Sequence, residues 1–321
     1  MVFQKMLTDM KNKPIIMTSM DDSNVRVNSL KAWFLAARPK TLTGAAVPVM
    51  IGWASAVAYH GSEARWTPAV LCLLFALVMQ IDANFINDLF DYLKGSDRAD
   101  RLGPERACAQ GWISAGHMKR GIGVVTLAAA VVGCCLLAYG GWRLLPVGIA
   151  CVAFAFLYTA GPYPLAYHGW GDVLVVVFFG FVPVGCTYYV MVHDWNTSVT
   201  MVSLACGLVI DTLLMVNNFR DREQDAVSGK RTLVVRFGAR AGLVMYYLLG
   251  MLACWCCFYF LFEGKLWAAL LPQVYLWPHI RTTLQMARTG HGKALNVLLG
   301  DTSRNMLLFG VLLAAGLLIG G

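Results

Sequence analysis

Two acidic motifs lie at the ends of hydrophobic segments of this chain, and their residue types are those of a metal or phosphate site. The first motif and the charged residues after it are Asn84, Asn87, Asp88, Asp91, Lys94, Asp97 and Arg101. The second motif and its followers are Asn217, Asn218, Arg220, Asp221, Asp225, Lys230 and Arg231. Carboxylate and amide oxygens suit hard cations such as Mg²⁺, which often also bind substrate phosphates. The pattern predicts divalent cations that join the aspartates to a phosphorylated substrate.

Helical spacing arranges the acidic residues of each motif in a stripe. At 100° per residue, Asn84, Asp88 and Asp91 share an arc of about 60°, with Asn87 at its edge. In the second motif, Asn217, Asp221 and Asp225 follow one another at intervals of four residues. Two such stripes at the same membrane depth are expected to face each other across a cavity.

The composition predicts an all-α polytopic membrane protein. The 321-residue chain is 58% hydrophobic and 14% charged, and uncharged runs such as 42–59 and 173–192 are long enough to span a bilayer. A helix pairs its backbone groups internally, as lipid requires. We predict about nine spans, at roughly 41–60, 67–93, 118–139, 144–160, 171–192, 197–219, 239–262, 266–286 and 304–320.

The distribution of positive charge predicts the topology. Of the 26 Lys and Arg residues, all except Arg65, Arg143 and Lys265 lie in the N-terminal arm or in loops that follow even-numbered spans. Positive residues mark cytoplasmic loops, so the N-terminus and both motifs are expected on the cytoplasmic face of the inner membrane. Residues 1–30 are expected to form a flexible arm, and residues 31–321 a single transmembrane domain. The net charge of +8 is therefore a topology signal and does not argue for nucleic acid.

Carboxylates beside lipid need compensation, because an ionisable side chain costs at least about 2.5–3.5 kcal/mol on insertion scales. One alternative is that the acidic residues are solvated helix ends or polar contacts between helices. Four aspartates in two matched stripes favour a bound metal and phosphate instead, and no Walker A loop indicates a nucleotide. An allylic diphosphate on a lipid fits better: metal stabilises the leaving group, and the carbocation alkylates an electron-rich carbon away from water.

These motifs resemble those of the UbiA superfamily of intramembrane prenyltransferases. The matching segments are Asn84-Phe-Ile-Asn-Asp-Leu-Phe-Asp91 and Asn217-Asn-Phe-Arg-Asp-Arg-Glu-Gln-Asp225. Within the superfamily, the chain is most similar to the MenA type, the 1,4-dihydroxy-2-naphthoate polyprenyltransferases, through segments such as Tyr158-Thr-Ala-Gly-Pro-Tyr-Pro-Leu165 and Gly229-Lys-Arg-Thr-Leu233. The resemblance covers residues 32–320 and implies nine helices around a central cavity that opens laterally to lipid.

The resemblance also implies roles for individual residues. Two Mg²⁺ ions are expected, one on the catalytic aspartates Asp88 and Asp91 with Asn84 and Asn87, the other on Asp221 and Asp225 with Asn217. The diphosphate is expected to contact Lys94, Arg101, Lys230 and Arg231. Candidates for the aromatic acceptor are Arg38, Lys40, Tyr158, Tyr163 and Tyr167. The alternative for Arg38 and Lys40 is ordinary positive anchors, and for the tyrosines an interfacial aromatic belt.

The implied reaction joins a polyprenyl diphosphate to 1,4-dihydroxy-2-naphthoate, with loss of its carboxyl group, and gives a demethylmenaquinone. Another acceptor, such as 4-hydroxybenzoate, is the alternative within the class, since the Asp motifs contact only the diphosphate. A cation-coupled transporter is the alternative from another class, but it would place its acids at the membrane midplane. Asp82 and Asp211 do not fit the family pattern, and their roles stay open, as do prenyl chain length and oligomeric state.

Overall fold

The computed structural model describes residues 25–61, 64–97 and 101–319, and within them the chain is helical with no strand. The helices of the first half are α1 (Leu30–Ala37), α2 (Thr43–His60), α3 (Trp66–Leu93), α4 (Ala115–Gly140) and α5 (Leu144–Thr159). Those of the second half are α6 (Gly171–Val192), α7 (Thr197–Val227), α8 (Leu233–Phe262), α9 (Leu266–Leu270), α10 (Leu276–Thr289) and α11 (Leu295–Ile319). The predicted all-α membrane class is confirmed.

Six helices, α3, α4, α6, α7, α8 and α11, are long and apolar enough to cross a bilayer, and α1 with α2 makes a seventh candidate that is bent by 49°. Helix α5 is apolar but shorter. The predicted span at 266–286 is divided, because a 3₁₀ turn that starts at Leu271-Pro272 separates α9 from α10. Proline has no N–H to continue an α-helix. The exact count of nine stays a prediction.

Helix α11 begins at Leu295, well before the predicted span at 304–320. Arg304 was counted among the loop residues, but it lies within the helix and pairs with Asp301 at 3.5 Å. Most of the predicted N-terminal arm, residues 1–24, lies outside the described residues, and the first described helix already begins at Leu30. The division into arm and domain therefore stays a prediction.

The core is built around α7, which packs against α6, α8, α2 and α11. The contact between α6 and α7 is close because glycines face it. A methyl group built on Gly180 of α6 would lie 2.5 Å from the carbonyl oxygen of Ser203 and 2.9 Å from the Cα of Gly207. Residues Val176–Gly185 of α6 form a π-helix around Pro183. Helix α6 therefore curves closely along α7 while it lines a cavity on its other side.

Candidate active site

Both motif helices end in the same way. The last aspartate of each motif, Asp91 on α3 and Asp225 on α7, lies four residues before a glycine with positive φ, Gly95 or Gly229. The N–H of the following residue donates back to the aspartate carbonyl, at 3.0 Å from Ser96 and 2.8 Å from Lys230. This is the Schellman termination, which a glycine at the left-handed position favours. The two helices thus present their last acidic residues at equivalent points.

Lys230 joins the two motifs. Its Nζ lies 3.9 Å from Oδ1 of Asp91 and 3.8 Å from Oδ1 of Asp225. Burial disfavours the charge on Lys230, but the two carboxylates outweigh this effect and raise the pKa of its ammonium group. The predicted convergence of the first and second motifs is therefore present, and one cation lies between them.

Asp88 is held by a loop rather than by a side chain. The backbone N–H groups of Ala107 and Cys108 donate to its two oxygens at 2.8 and 2.9 Å, and the carboxyl is 1% exposed. This loop connects α3 to α4, so the first motif also fixes the connection between these two helices. A carboxylate has about four lone-pair sites, so these two bonds leave room for a metal at the same group.

Arg106 was not among the residues predicted from the sequence. Its Nη2 lies 3.3 Å from Oδ2 of Asp91 and its Nε 3.9 Å from Oδ1 of Asp97. The residue is 6% exposed, and its Nε and Nη1 have no hydrogen-bond partner. A buried guanidinium with unused donors is suited to an anion. The sequence signal was weak, since Arg106 is one of several arginines in a charged loop and lies 15 residues from Asp91.

Asp97 pairs with the predicted phosphate ligand Arg101 as well as with Arg106. The Asp97 side chain is fully buried, and its Oδ2 has no partner. Burial raises the pKa of the Asp97 carboxyl, and the two guanidinium groups oppose this shift. In the second motif, Asp221 forms a two-point pair with its neighbour Arg220, at 2.7 and 2.5 Å.

The aromatic ring of Tyr167 contacts two lysine side chains of the site. Its ring lies 4.6 Å from Nζ of Lys94 and 5.0 Å from Nζ of Lys230, both within cation–π range. Its hydroxyl is 2.7 Å from the Ser96 hydroxyl. Lys94 also donates to the carbonyl of Thr159, at the end of α5. Lys94 and Lys230 thus converge, as predicted for a diphosphate site.

A cavity of about 760 Å³ lies in the apolar interior between α2, α3, α4, α5, α6 and α7 and reaches the asparagines of both motifs. Its polar lining at the motif end includes Arg38, Asn84, Asn87, Tyr158 and Asn217. Beyond these residues the wall is made by side chains such as Phe75, Leu137, Val152, Phe179 and Val190. An apolar cavity with a polar mouth suits a lipid tail with a charged head.

Neighbouring groups orient the three asparagines of the mouth. Asn84 donates to the Ala37 carbonyl and to the Thr41 hydroxyl, each at 3.0 Å. Asn87 accepts from the hydroxyl of Thr159, and Asn217 donates to a carbonyl one turn earlier in α7 at 3.0 Å. The amide oxygens that a metal would use therefore sit on fixed side chains.

Arg38 reaches the cavity because the chain bends at this residue. It ends α1 in the left-handed conformation, with φ of 52°, and is followed by Pro39. Residues with a Cβ rarely adopt this conformation. By contrast Lys40 and Arg231 are exposed, and Tyr163 is 55% exposed and stacks on His168 at 3.5 Å. The structure does not bring these three side chains into the polar mouth.

The donor set fits Mg²⁺ bound together with phosphate. Over the described parts of the chain, no three Asp, Glu, His or Cys side chains converge to hold a metal by themselves. Mg²⁺ usually takes only one or two carboxylates and completes its shell with phosphate and water oxygens. Each motif supplies carboxylate and amide oxygens. Next to the first motif, Arg106 and Asp97 have buried polar atoms without hydrogen-bond partners, which a bound ion and phosphate would provide.

Comparison with known proteins decides the family. A profile of the UbiA prenyltransferase family matches residues 45–299. The chain belongs to the UbiA prenyltransferase family. The resemblance inferred from the two motifs is thereby confirmed.

Curated relatives are similar over most of their length. The 1,4-dihydroxy-2-naphthoate octaprenyltransferase of Haemophilus influenzae is 34% identical over 303 residues, which are 91% of this chain and 97% of that protein. The enzyme of the same name from Escherichia coli is 34% identical over 76% of this chain and 82% of its own length.

Solved structures share the fold at low identity. A UbiA homologue from Archaeoglobus fulgidus bound to DMAPP and Mg²⁺ has a TM-score of 0.61 at 15% identity, covering 88% of this chain and 99% of its own. The apo structure of a UbiA homologue from Aeropyrum pernix has a TM-score of 0.63 at 14% identity, covering 86% of this chain and 97% of its own. The predicted UbiA-like fold is therefore confirmed.

Proposed function

We infer that this chain transfers a polyprenyl group from an allylic polyprenyl diphosphate to 1,4-dihydroxy-2-naphthoate. The carboxyl group of the acceptor is lost and demethylmenaquinol, the reduced form of demethylmenaquinone, forms as in menaquinone biosynthesis. The observation that carries this inference is the meeting of both acidic motifs around Lys230, with the asparagines of the same two motifs lining an apolar cavity. The names of the relatives supply the acceptor.

The diphosphate is held where lysine and arginine side chains are concentrated. Lys94, Lys230 and the unpaired donors of Arg106 lie at the ends of the motif helices. Two Mg²⁺ ions, one on each motif, would neutralise the diphosphate and stabilise it as it leaves. Lys94 and Lys230 bind and orient the remaining phosphate oxygens, while the Tyr167 ring between them supports the positive charge.

The cavity supplies the rest of the reaction environment. Its apolar wall binds the prenyl tail and keeps water from the allylic carbon. Arg38 lies in the same mouth and is positioned to pair with the acceptor carboxylate. The loop charges support a position of the two motifs and the N-terminus on the cytoplasmic side of the inner membrane.

The function is tested with purified protein in lipid nanodiscs, octaprenyl diphosphate and Mg²⁺. Dihydroxynaphthoate and 4-hydroxybenzoate are supplied in separate reactions, and products are identified by liquid chromatography and mass spectrometry. We expect a prenylated, decarboxylated product from dihydroxynaphthoate and none after EDTA treatment. Product from 4-hydroxybenzoate alone, or from neither acceptor, would contradict the inference. Asp225→Asn serves as the inactive control.

A further inference from the structure

The backbone of Leu102, in the loop between α3 and α4, is held from two sides by side chains outside the first motif. Its N–H donates to Oε1 of Gln224 on α7 at 3.3 Å, and its carbonyl accepts from Nδ2 of Asn296 at 2.8 Å. Gln224 directly precedes the last aspartate of the second motif, whereas Asn296 is the second residue of α11. The loop is therefore attached to residues that lie 122 and 194 positions further along the chain.

Asn296 also contacts the second motif. Its Oδ1 accepts from Nη1 of Arg220 at 2.9 Å, and the same guanidinium holds both oxygens of Asp221 at 2.7 and 2.5 Å. A guanidinium only donates and a backbone carbonyl only accepts, so the two neighbours of Asn296 fix which end of its amide carries the oxygen. One amide therefore connects the loop to the arginine that holds the predicted metal ligand Asp221.

The loop packs closely against Arg220. A methyl group built on Gly103 would lie 2.7 Å from Nη2 of Arg220 and 3.3 Å from Nη2 of Arg101. Arg220 is 3% exposed, and its hydrogen bonds to Asp221 and Asn296 hold its guanidinium in place. A side chain at position 103 would therefore push the loop away from the second motif.

The other end of the loop is attached to the first motif, where the N–H groups of Ala107 and Cys108 donate to Asp88. These two bonds end on a carboxylate, and hydrogen bonds to ionised groups are roughly twice as strong as those between neutral groups. Both bonds of the Leu102 backbone join neutral groups. The loop should therefore open at Leu102 first, while its other end stays attached.

We propose that Asn296 is a positioning residue that keeps residues 101–108 closed over the diphosphate and so slows its dissociation. The proposal rests on the transfer reaction proposed above. Residues 101–108 extend from the first motif to the second and carry two of the site's cations, Arg101 and Arg106. Asn296 acts through Leu102 and does not touch the substrate. Loss of the bond to Leu102 should let the loop open and the diphosphate leave.

The first test measures binding of inorganic diphosphate with Mg²⁺ by isothermal titration calorimetry, using purified protein in lipid nanodiscs. Asn296→Ala removes both contacts of the amide and should weaken binding about tenfold, the size of one lost hydrogen bond. Asn296→Asp keeps an oxygen for Arg220 but has no N–H for the Leu102 carbonyl, so it should weaken binding to the same extent. Wild-type affinity in Asn296→Asp would assign the effect to Arg220 and overturn the proposal.

A glycine variant tests the loop without changing Asn296. Gly103→Ala should also weaken binding of diphosphate, because its methyl group displaces the loop from Arg220. Gly116→Ala is the matched control, since a methyl group at this position of α4 meets no atom within 4 Å. This pair keeps the proposal testable if the Asn296 variants do not fold. Equal affinity in the two glycine variants would overturn it.

Hydrogen exchange in the presence of Mg²⁺ and inorganic diphosphate shows where the loop opens. In both Asn296 variants, the amide of Leu102 should exchange about tenfold faster than in wild type. Ala107 and Cys108 should keep wild-type protection, because Asp88 still holds their amides. Unchanged exchange at Leu102, or equally faster exchange at both ends of the loop, would contradict the proposal.

Turnover separates this role from general destabilisation. In Asn296→Ala, the KM of octaprenyl diphosphate should rise about tenfold, whereas the KM of dihydroxynaphthoate should change less than about twofold. Asn305→Ala is the matched control and should keep both wild-type KM values, because Asn305 is a buried asparagine of the same helix that donates to the Thr282 hydroxyl at 3.0 Å. An equal rise of both KM values in Asn296→Ala would overturn the proposal. A wild-type protein that binds diphosphate but forms no product would contradict the proposed function, and the binding and exchange results would still decide the role of Asn296.

Discussion

Replacing Asp88 should loosen the loop between α3 and α4, in addition to any effect on metal binding. Both oxygens of Asp88 accept backbone hydrogen bonds, from Ala107 and Cys108. A hydrogen bond to a charged group contributes about 1.5–3 kcal/mol. Asp88→Asn keeps one acceptor and should lose about 2 kcal/mol of local stability, whereas Asp88→Ala loses both bonds and should lose about 4 kcal/mol.

These energies correspond to measurable opening of the loop. At about 1.4 kcal/mol per tenfold change, the opening equilibrium should rise about 30-fold in Asp88→Asn and about 10³-fold in Asp88→Ala. Hydrogen exchange measured by mass spectrometry reports this rise at the amides of Ala107 and Cys108. The variant Asp82→Asn, with its altered carboxyl on the same helix, should leave these amides at wild-type protection.

The exchange experiment also separates the two roles of Asp88. Because the backbone N–H groups already hold its oxygens, Mg²⁺ alone should leave the protection of Ala107 and Cys108 unchanged in wild type. Unchanged protection in Asp88→Ala would refute the assignment of Asp88 as the anchor of this loop. We also expect Asp88→Ala to lose prenyl transfer, and with unchanged protection that loss would be due to metal binding alone.

Three further changes test other parts of the structure. Lys230→Gln should destabilise the metal-free protein by about 3 kcal/mol by leaving the buried carboxylate of Asp225 without its cation. Mg²⁺ alone should raise the melting temperature of this variant more than that of wild type, because the cation takes the place of the ammonium group; an equal rise would contradict the bridging role. Hydrogen bonds from nearby hydroxyls outweigh burial and lower the pKa of Glu263, so the stability it provides should be present at neutral pH and lost below its ordinary pKa of about 4.3. Glu263→Gln should therefore melt lower than wild type at pH 7 and show a smaller decrease toward pH 3; an identical pH dependence would argue against this. Gly180→Ala, whose new methyl would lie 2.5 Å from the Ser203 carbonyl, should cost about 1–3 kcal/mol, whereas Gly148→Ala meets no atom within 4 Å and should melt like wild type.

The sequence predicted the parts of the site that depend on helical repetition. Asn84, Asp88 and Asp91 share a face of α3, and Asp225 and Lys230 meet the first motif as expected. The helical period alone determines which charged residues of one helix share a face, so this grouping can be predicted without tertiary contacts. The termination of both helices likewise depends on local glycines, Gly95 and Gly229.

Contacts made across loops could not be predicted in the same way. Nothing in the spacing of Arg106 indicates that it turns back to Asp91, and nothing near Asp88 indicates the amides of Ala107 and Cys108. Such contacts depend on the path of a loop, which has no period. The division of the span at 266–286 was missed for a different reason: composition measures apolar length, whereas Pro272 acts on backbone hydrogen bonding.

The central claim is that the two acidic motifs form one diphosphate site. The most direct measurement is Mg²⁺-dependent binding of a radiolabelled prenyl thiolodiphosphate, whose bond between carbon and sulfur does not break in the site. Binding is compared between wild type, Asp91→Asn, Asp225→Asn and the double variant. Residues that act as one unit give non-additive losses. We predict that either single substitution weakens binding nearly as much as both together. Losses that add in full, or binding that persists when one motif is removed, would contradict the claim.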